Sequence, residues 1–303
     1  MIRIAELKLP LSQVEYHPEN HTEFHPTEKL TQLAAERLGI AAQAIASLQV
    51  YKRSFDARKS ELLAVYIADV TLSDEKQEAA LLEKFADNSH VNPTPDQSWK
   101  PIGQAPADLD ERPVVVGFGP CGMFAGLVLA QMGFKPIVLE RGKTVRERTK
   151  DTWRLWRKRE LTPESNVQYG EGGAGTFSDG KLYSQIKDPR HLGRKVLTEF
   201  VTYGAPPEIL YAAHPHIGTF KLVKLVEGIR EEIVRLGGEI RFEQRVTDVQ
   251  IEEVDGQRQL TSLQVLNQAT GESYALATRH AVMALGHSAR DTFMAFYERG
   301  VAM

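Results

Sequence analysis

The feature that most constrains this chain is a run of valines that leads directly into a glycine-rich turn. After Pro113, three valines precede Gly117, Gly119 and Gly122, which have the spacing GxGxxG. In a dinucleotide-binding turn the first glycine permits the tight bend, the second lets the backbone approach a pyrophosphate, and the third lets the next helix pack on the strand. Pro120 opens that helix, whose first N–H groups would face the phosphates. The sequence therefore predicts a strand, a turn and a helix that bind a dinucleotide.

A second strand ends in an acidic residue at the distance that this fold requires. Residues 137–139 are apolar, and Glu140 follows them at about 20 residues from the first glycine. A carboxylate at this place accepts hydrogen bonds from both ribose hydroxyls and repels a 2′-phosphate. We therefore assign Glu140 and its neighbour Arg141 to the cofactor site, and we exclude NADP as the ligand of this turn.

Three later features favour FAD over NAD. A second glycine-rich loop follows at residues 169–182, and its backbone N–H groups suit the carbonyl oxygens and N5 of a flavin. From this loop we assign to the cofactor Gly172, Gly173, Gly175, Thr176, Ser178 and Asp179. Alternating runs between residues 240 and 265 predict a β-meander that includes Val246, where a plain NAD domain has a helical crossover. A buried strand at 281–285 then returns to the cofactor at Gly286.

The sequence predicts an α/β fold with two domains. Residues 113–303 are predicted to form a Rossmann-like FAD-binding domain with a parallel sheet and the β-meander. Residues 1–90 are predicted to form a small ferredoxin-like α+β domain, because they show the order strand, helix, strand, strand, helix. The polar residues 91–112 contain four prolines and no apolar period, which predicts a linker.

Several stretches of the chain carry a resemblance to a known family. They are residues 52–54 with 56–59, the GxGxxG turn, and residues 170–181, 215–219 and 284–293. In these stretches the chain resembles the bacterial family of large, poorly characterised FAD-dependent dehydrogenases, also called NAD(P)/FAD-dependent oxidoreductases. The resemblance implies an oxidoreductase that transfers hydride through flavin N5. The chain departs from the family at Cys121, where alanine is usual, and at Phe220, where an acid is expected.

Three side chains near these loops are candidates for chemistry at the flavin. Lys181 ends the second glycine loop and would stabilise the reduced flavin. His216 precedes a predicted helix, His287 follows the returning strand, and either would serve as a proton donor. Alternatives stay open, because His216 also suits a helix cap, and Arg290 with Asp291 suits a cap for the following segment.

The composition of the chain bears on its location and its partners. The net charge of −3 gives no whole-chain argument for a nucleic-acid partner, and a single cysteine suits the cytosol. Cys121 begins a helix, where it is either a reactive thiol or simply a small residue. Residues 114–134 lack charge, but their glycines favour strand, turn and helix over a membrane span. We expect a cytoplasmic protein with an unidentified small-molecule substrate, an external NAD(P)H or other donor, and no nucleic-acid, membrane or metal partner.

Local patterns leave other functions open. The basic stretch at residues 52–59 suits either a phosphate or RNA contact or a charged turn between two strands. The basic stretch at residues 143–160 suits either a nucleic-acid patch or a charged helix that covers the cofactor domain with its tryptophans packed inward. His17, His21 and His25 have a helical metal-ligand spacing, but prolines in the segment favour a loop. The alternative function is a flavin-containing factor whose basic N-terminal module recruits an RNA or a protein for modification. The second glycine loop argues against a dehydrogenase that uses NAD alone.

The end of the sequence carries one further expectation. Proteins of the family that the chain resembles continue beyond this point, with a segment that closes over the flavin. We therefore expect an N-terminal fragment in which an apolar sheet edge is exposed at residues 282–285, flavin retention is weak or absent, and turnover is low.

Overall fold

The chain divides into two units, of which the first is discontinuous in sequence. In this computed structural model the described residues are 1–17, 22–58, 60–182, 184 and 186–303, with the backbone alone for 15–17 and 22–24. The first unit is Met1–Ser98 with Tyr183–Thr198 and Pro206–Pro215. The second unit is Trp99–Leu182 with Glu199–Ala205 and His216–Met303.

The first unit is an antiparallel sheet with two helices. Its elements are β1 (Ile2–Pro10), β2 (Glu15–His17), β3 (Thr22–Phe24), α1 (Thr27–Leu38), β4 (Ile45–Asp56), β5 (Leu63–Leu72), α2 (Glu75–Lys84) and β6 (Val91–Pro93). The main sheet has the order β4-β5-β1-β6 with every pair antiparallel. Burial alternates along β5, since successive side chains of a strand face opposite sides. The buried side packs on Leu30, Ala34 and Leu38 of α1.

A distant segment of the chain joins the first unit through β4. The Arg53 N–H donates to the Tyr211 carbonyl at 2.7 Å, and the Ala213 N–H donates to the Arg53 carbonyl at 2.9 Å. In addition, β6 lies inside the stretch predicted as a linker and pairs with β1. The division therefore differs from the predicted boundaries at residues 90 and 113, because backbone pairing brings in residues that no local pattern connects to the first unit.

The second unit contains a parallel sheet and a β-meander, as the sequence predicts. Its elements are β7 (Val114–Val116), α3 (Pro120–Gln131), β8 (Ile137–Leu139), α4 (Val145–Lys158), the end of α5 (Leu192–Thr202), α6 (Thr219–Arg235), β9 (Glu239–Arg241), β10 (Gln244–Val254), β11 (Gln257–Asn267), β12 (Ser273–Ala277), β13 (Ala281–Met283) and α7 (Arg290–Glu298). The parallel sheet has the order β13-β7-β8-β9, and the meander has the order β10-β11-β12.

The core of the second unit lies between the two sheets. The valines of β7 are buried on both faces, as expected for the centre of a parallel sheet. Val114 and Val116 pack with Val246 and Leu263 of the meander and with Phe296 of α7. This packing places the carboxyl ends of β7, β8 and β13 beside one another, where loops of an α/β sheet bind ligands.

β13 is the outer strand of the parallel sheet, and its side chains are partly open to solvent. Val282 is 38% exposed and Met283 is 36% exposed. Among the described residues no helix is long and apolar enough to cross a bilayer. The metal-ligand spacing of His17, His21 and His25 cannot be followed here, because His21 lies outside the described residues.

Candidate functional site

Two of the three fingerprint glycines are required by the protein backbone itself. Gly117 has φ +98°, and a Cβ on it would overlap the Ala284 carbonyl of the segment after β13. A Cβ on Gly122 would overlap the Gly117 carbonyl. The turn from β7 into α3 therefore closes only with glycine at both places, which is the local reason that the chain folds this way.

Gly119 is the exception, because no described residue approaches the position of a Cβ on it more closely than an ordinary van der Waals contact. Its φ of −77° and ψ of −173° are accessible to any residue. A Cβ at Gly119 would meet only Gly173 Cα, at an ordinary 3.6 Å. The open space lies next to the first turn of α3, where N–H groups lack helical partners. Gly119 is thus free to admit a ligand rather than needed to complete the fold.

Glu140, which ends β8, ties three backbone segments together. Its Oε2 accepts from the Phe118 N–H at 2.7 Å, and its Oε1 accepts from the N–H groups of Gly142 at 2.8 Å and Gly170 at 3.0 Å. The residue is 4% exposed. A carboxylate has about four acceptor positions, so about one remains on Oε2. This leaves Glu140 able to take one ribose hydroxyl rather than the predicted two.

Replacement of Glu140 by glutamine should therefore affect folding as well as ligand binding. The amide nitrogen of Glu140→Gln would face a backbone N–H donor and leave it without an acceptor. We expect a loss of about 1.5–3 kcal/mol in the free energy of unfolding, measured by urea titration. Glu147→Gln, at an exposed position on α4, is the control and should change stability little. An equal effect of both variants would contradict the role of the Glu140 carboxylate.

The second glycine loop is held from behind by the buried side chain of Arg148 in α4. Its guanidinium donates to the carbonyls of Asn166 (2.8 Å), Val167 (3.0 Å), Gly170 (3.0 Å), Glu171 (2.6 Å) and Gly173 (2.9 Å). The residue is 0% exposed, and burial lowers the pKa of Arg148 to about 10, although the charges of Glu140 and Glu171 favour its protonated form. A cation with this many carbonyl acceptors fixes the path of the loop.

The two glycine loops lie directly against each other. The Gly172 N–H donates to the Phe118 carbonyl at 2.9 Å, and a Cβ on Gly173 would lie 2.9 Å from Gly119 Cα. The amides of Ala174 and Gly175 follow, and within the described part of the chain neither finds an acceptor. A Cβ on Gly175 would meet open space. Both loops therefore present backbone to one cleft, with free donors at its edge.

The cleft has a volume of about 690 Å³, within the usual range of roughly 300–1,000 Å³ for cofactor and ligand sites. It is lined by the turn after β7, the end of β8, the second glycine loop, the start of β10 and the segment that follows β13. Its apolar lining includes Val116, Leu139 and Val246, and its polar lining includes Gln168, Arg245 and His287.

One side of the cleft is closed by a set of polar contacts that we call the clasp, formed by Arg141, Glu164, Gln168, Tyr169, Ser288 and Asp291. Arg141 donates to both oxygens of Glu164 and to both oxygens of Asp291, at 2.7–3.1 Å. Tyr169 Oη donates to the Ser288 carbonyl at 2.6 Å, and Ser288 Oγ donates to Gln168 Oε1 at 2.8 Å. The clasp joins residues around the second glycine loop to the start of α7.

The clasp should open in acid. Burial tends to raise the pKa of Asp291, but the hydrogen bonds and charge of Arg141 outweigh it, so the pKa of Asp291 is lowered. A lowered pKa means that the stabilisation is present above the ordinary carboxyl value of about 4 and is lost as the pH falls through the folded value. We expect Asp291→Asn to speed several-fold, at pH 7, the release of the FAD that the sequence predicts, measured by dilution after incubation with FAD. Release that is equally slow in the variant would contradict a closing role.

The structure brings together ten of the predicted site residues and leaves seven outside the cleft lining. The residues that line the cleft are Gly117, Gly119, Pro120, Glu140, Arg141, Gly173, Gly175, Val246, Gly286 and His287. The others are Gly122, Gly172, Thr176, Ser178, Asp179, Lys181 and His216. Gly122 and Gly172 instead serve the packing of the two loops.

Lys181 and His216 lie together, away from the cleft lining. The Lys181 side chain is 76% exposed and lies 3.5 Å from Asp179. A backbone bridge pairs Lys181 with His216, which is also exposed. Ser178 Oγ donates to the Gly175 carbonyl and accepts from the Gly180 N–H, which makes it a turn residue. Roles at the flavin for these residues stay predictions.

Several residues of the site carry no signal in the sequence. Arg148 lies among eight basic residues between 143 and 160, and nothing in that pattern indicates that it is buried. Tyr169 and Ser288 lie in the stretches 169–182 and 284–293, but nothing in these stretches predicts that the two residues contact each other. Asp291 suits a helix cap equally well. In the first unit, Arg53 of the basic stretch 52–59 is 7% exposed, and Arg58 pairs with Asp56.

Comparison with known proteins gives sequence relatives of unassigned function. Residues 1–71 match a family described as a domain of unknown function, DUF8436. An uncharacterized protein of Clostridium beijerinckii is 41% identical over 268 residues, which are 88% of this chain and 48% of that protein. The chain thus spans about half the length of this curated relative.

Solved structures give weaker likenesses. THI4 of Thermovibrio ammonificans has 18% identity and a TM-score of 0.42, over 64% of each chain. The bacillithiol disulfide reductase Bdr of Bacillus cereus has 17% identity and a TM-score of 0.31, over 57% of this chain and 39% of that one. The flavin-dependent monooxygenase PieE, solved with FAD and substrate, has 18% identity and a TM-score of 0.32, over 65% and 33%. Likeness at this level carries no inference about what this chain binds.

Proposed function

We propose that this chain binds FAD in the cleft of its second unit and forms part of a flavin-dependent oxidoreductase that resembles the FAD-dependent dehydrogenase family. The observation that carries the proposal is the contact of the two glycine loops, which leaves the space beside Gly119 open in front of the start of α3. A diphosphate needs a close backbone approach and helix N–H groups, and this place offers both. We also propose a cytosolic location, because a chain with a single cysteine suits a reducing compartment.

The neighbouring elements support FAD rather than NAD alone. The meander β10-β11-β12 occupies the place between β9 and β13 where a plain NAD domain has a helical crossover. The second glycine loop adds the free N–H groups of Ala174 and Gly175 beside the first loop. Such donors match the carbonyl oxygens and N5 of a flavin ring. The free acceptor position on Glu140 Oε2 matches a ribose hydroxyl.

The residues of the chain have distinct tasks in this proposal. Bound flavin supplies hydride or electron transfer between a donor and an unidentified small-molecule substrate. The start of α3 binds diphosphate, Glu140 orients the ribose, and Arg148 holds the second glycine loop in place. The clasp would hold the residues around the second glycine loop against the segment before α7. His287 lines the cleft, with Nε2 at 3.4 Å from Ser288 Oγ, and is placed to hold a proton there.

The first test is an equilibrium titration of the purified chain with FAD, FMN and NAD in parallel, followed by fluorescence without removal of free ligand. We expect FAD to saturate at about one equivalent per chain and to bind more tightly than FMN or NAD. A protein that binds no FAD at micromolar concentration, or that binds NAD more tightly, would overturn the proposal. The first unit, which we propose to be ferredoxin-like, should remain folded in either case.

Substitutions of His287 and Lys181 test which of the two side chains exchanges a proton during flavin reduction. We expect His287→Gln to change the pH dependence of flavin reduction by an external donor such as NADPH, because the variant removes the imidazole that lines the cleft and can exchange a proton there. Lys181→Met should leave this pH profile unchanged, since Lys181 is exposed and lies near Asp179. The opposite result, with Lys181 altering the profile and His287 silent, would place the chemistry on the other side of the second glycine loop.

A further inference from the structure

The outer face of α4 carries tryptophans and cations that have no task in the cleft. Lys150, Trp153, Arg154 and Arg157 recur at helical spacing and so share one face, with Trp156 beside them. Trp153 is 45% exposed and Trp156 is 54% exposed. Large rings held at a surface are typical of interaction sites, where tryptophan and arginine contribute most of the binding energy.

The charge of this face is only partly neutralised. Arg154 pairs with Glu160, and Arg146 pairs with Glu227. In the described ranges no acidic side chain lies within ion-pair distance of Lys150, Arg157 or Lys158, and the Arg157 guanidinium rests over the Trp153 ring at 4.4 Å. The face is therefore positive and suits an acidic partner.

A row of aromatic rings connects this face with the second glycine loop. Trp153 and Trp156 are in edge contact with ring centroids 5.9 Å apart, and Trp156 makes the same contact with Phe177 at 5.9 Å. Phe177 follows Gly175, which lines the cleft, by two residues. Helix α4 therefore contacts the second glycine loop in two ways. Arg148 binds the loop from the buried side of the helix, and the tryptophans connect the loop with the exposed side.

We propose that the outer face of α4 is the docking surface for a small acidic electron-carrier protein, an inference that rests on the proposed flavin function. Electron transfer weakens steeply with distance, so a carrier must dock near the flavin-facing loop, and the aromatic row reaches from this face to that loop. Each encounter oxidises the carrier by one electron, and two encounters supply the pair that reduces the flavin, with its proton taken from water. Encounters of this kind are small and steered by charge.

A protein partner fits this face better than an RNA. Sequence-tolerant RNA binding depends on free ring faces for base stacking along a positive groove. Here Arg157 covers one face of Trp153, and the rings meet one another edge to face. The cations form a short stripe on one helix rather than a groove, which suits a brief, charge-steered contact.

The test measures binding of fluorescently labelled plant-type two-iron ferredoxin, in its oxidised form, to the full chain by anisotropy. We expect saturable binding that weakens at least several-fold between about 50 and 200 mM salt. The variant Lys150→Glu with Arg157→Glu should bind about tenfold more weakly. The control is Lys29→Glu with Lys76→Glu, which makes the same charge change in the first turns of α1 and α2 and should bind like the original chain. Absent binding at low salt, or equal losses in both variants, would overturn the docking surface.

Two further arms test the other partners that a basic aromatic face attracts. Vesicles of phosphatidylcholine with phosphatidylglycerol and a uridine-rich single-stranded RNA are measured with the same variants. Binding of either that exceeds binding of ferredoxin and is lost in the α4 variant would overturn the electron-carrier assignment. Flavin binding is measured separately. If the chain binds FAD but not ferredoxin, only the docking surface is contradicted. If the chain binds ferredoxin but never binds FAD, the proposed function is contradicted.

Discussion

Arg148→Met is expected to lower the free energy of unfolding by about 3–5 kcal/mol and to abolish FAD binding. Methionine keeps much of the aliphatic stem but removes the guanidinium donors from five backbone carbonyls. The carbonyls of Gly170, Glu171 and Gly173 would each keep one other donor. Among the described contacts, the Asn166 and Val167 carbonyls would lose every donor, and they would have to stay buried without a partner or move into water. Urea unfolding gives the stability, and flavin fluorescence gives the binding.

The matched control is Arg154→Met on the same helix. Arg154 is exposed and donates only to Glu160, so its loss should change stability by less than about 0.5 kcal/mol. A destabilisation of Arg148→Met as small as that of the control would mean that the second glycine loop holds its path without the guanidinium. Arg148→Lys should destabilise the protein by an intermediate amount, because one ammonium group cannot donate to as many carbonyls as the planar guanidinium.

Gly119→Val should weaken FAD binding by at least about a hundredfold, roughly 2.7 kcal/mol, and leave folding unchanged. The backbone of Gly119 suits any residue, and a Cβ there makes only an ordinary contact with Gly173. The added side chain would occupy the space into which we place the diphosphate. Isothermal titration with FAD measures the affinity, and thermal unfolding of the ligand-free protein checks the fold.

Gly103→Val is the control for a valine in place of glycine. Gly103 faces open space and does not line the cleft, so FAD binding should be unaffected. Gly119→Ala should lie between the original chain and the valine variant. If Gly119→Val binds FAD as tightly as the original chain, the diphosphate does not bind at the start of α3. If the variant instead loses thermal stability, Gly119 is needed for packing.

The sequence predicts the turn after β7 well, because its chemistry is local. Gly122 is needed because the Gly117 carbonyl lies against it, and Gly117 has the positive φ of a glycine turn. The apolar runs on both sides have the length of buried strands. The meander was also predictable, since alternation and turn residues are read within one stretch of chain. These features depend on neighbours in sequence.

Contacts between distant segments were not predictable in the same way. A buried arginine and an exposed arginine look alike in a basic stretch, so Arg148 could not be distinguished from Arg154. The clasp depends on Arg141 meeting Asp291, 150 residues later, and on a hydrogen bond from Tyr169 to Ser288 that no local pattern predicts. The first unit likewise gains residues 206–215 through backbone pairing with β4, which has no side-chain pattern at all.

The carboxylate of Glu140 has a consequence for how the cleft fluctuates. It holds the amides of Phe118, Gly142 and Gly170, which belong to three different loops. If any one loop opens, a buried negative charge loses a donor, so opening one loop favours opening the others. The hydrogen-exchange rates of these three amides should therefore report a single cooperative event. Ligand entry into the cleft would then have one gating equilibrium rather than three independent ones.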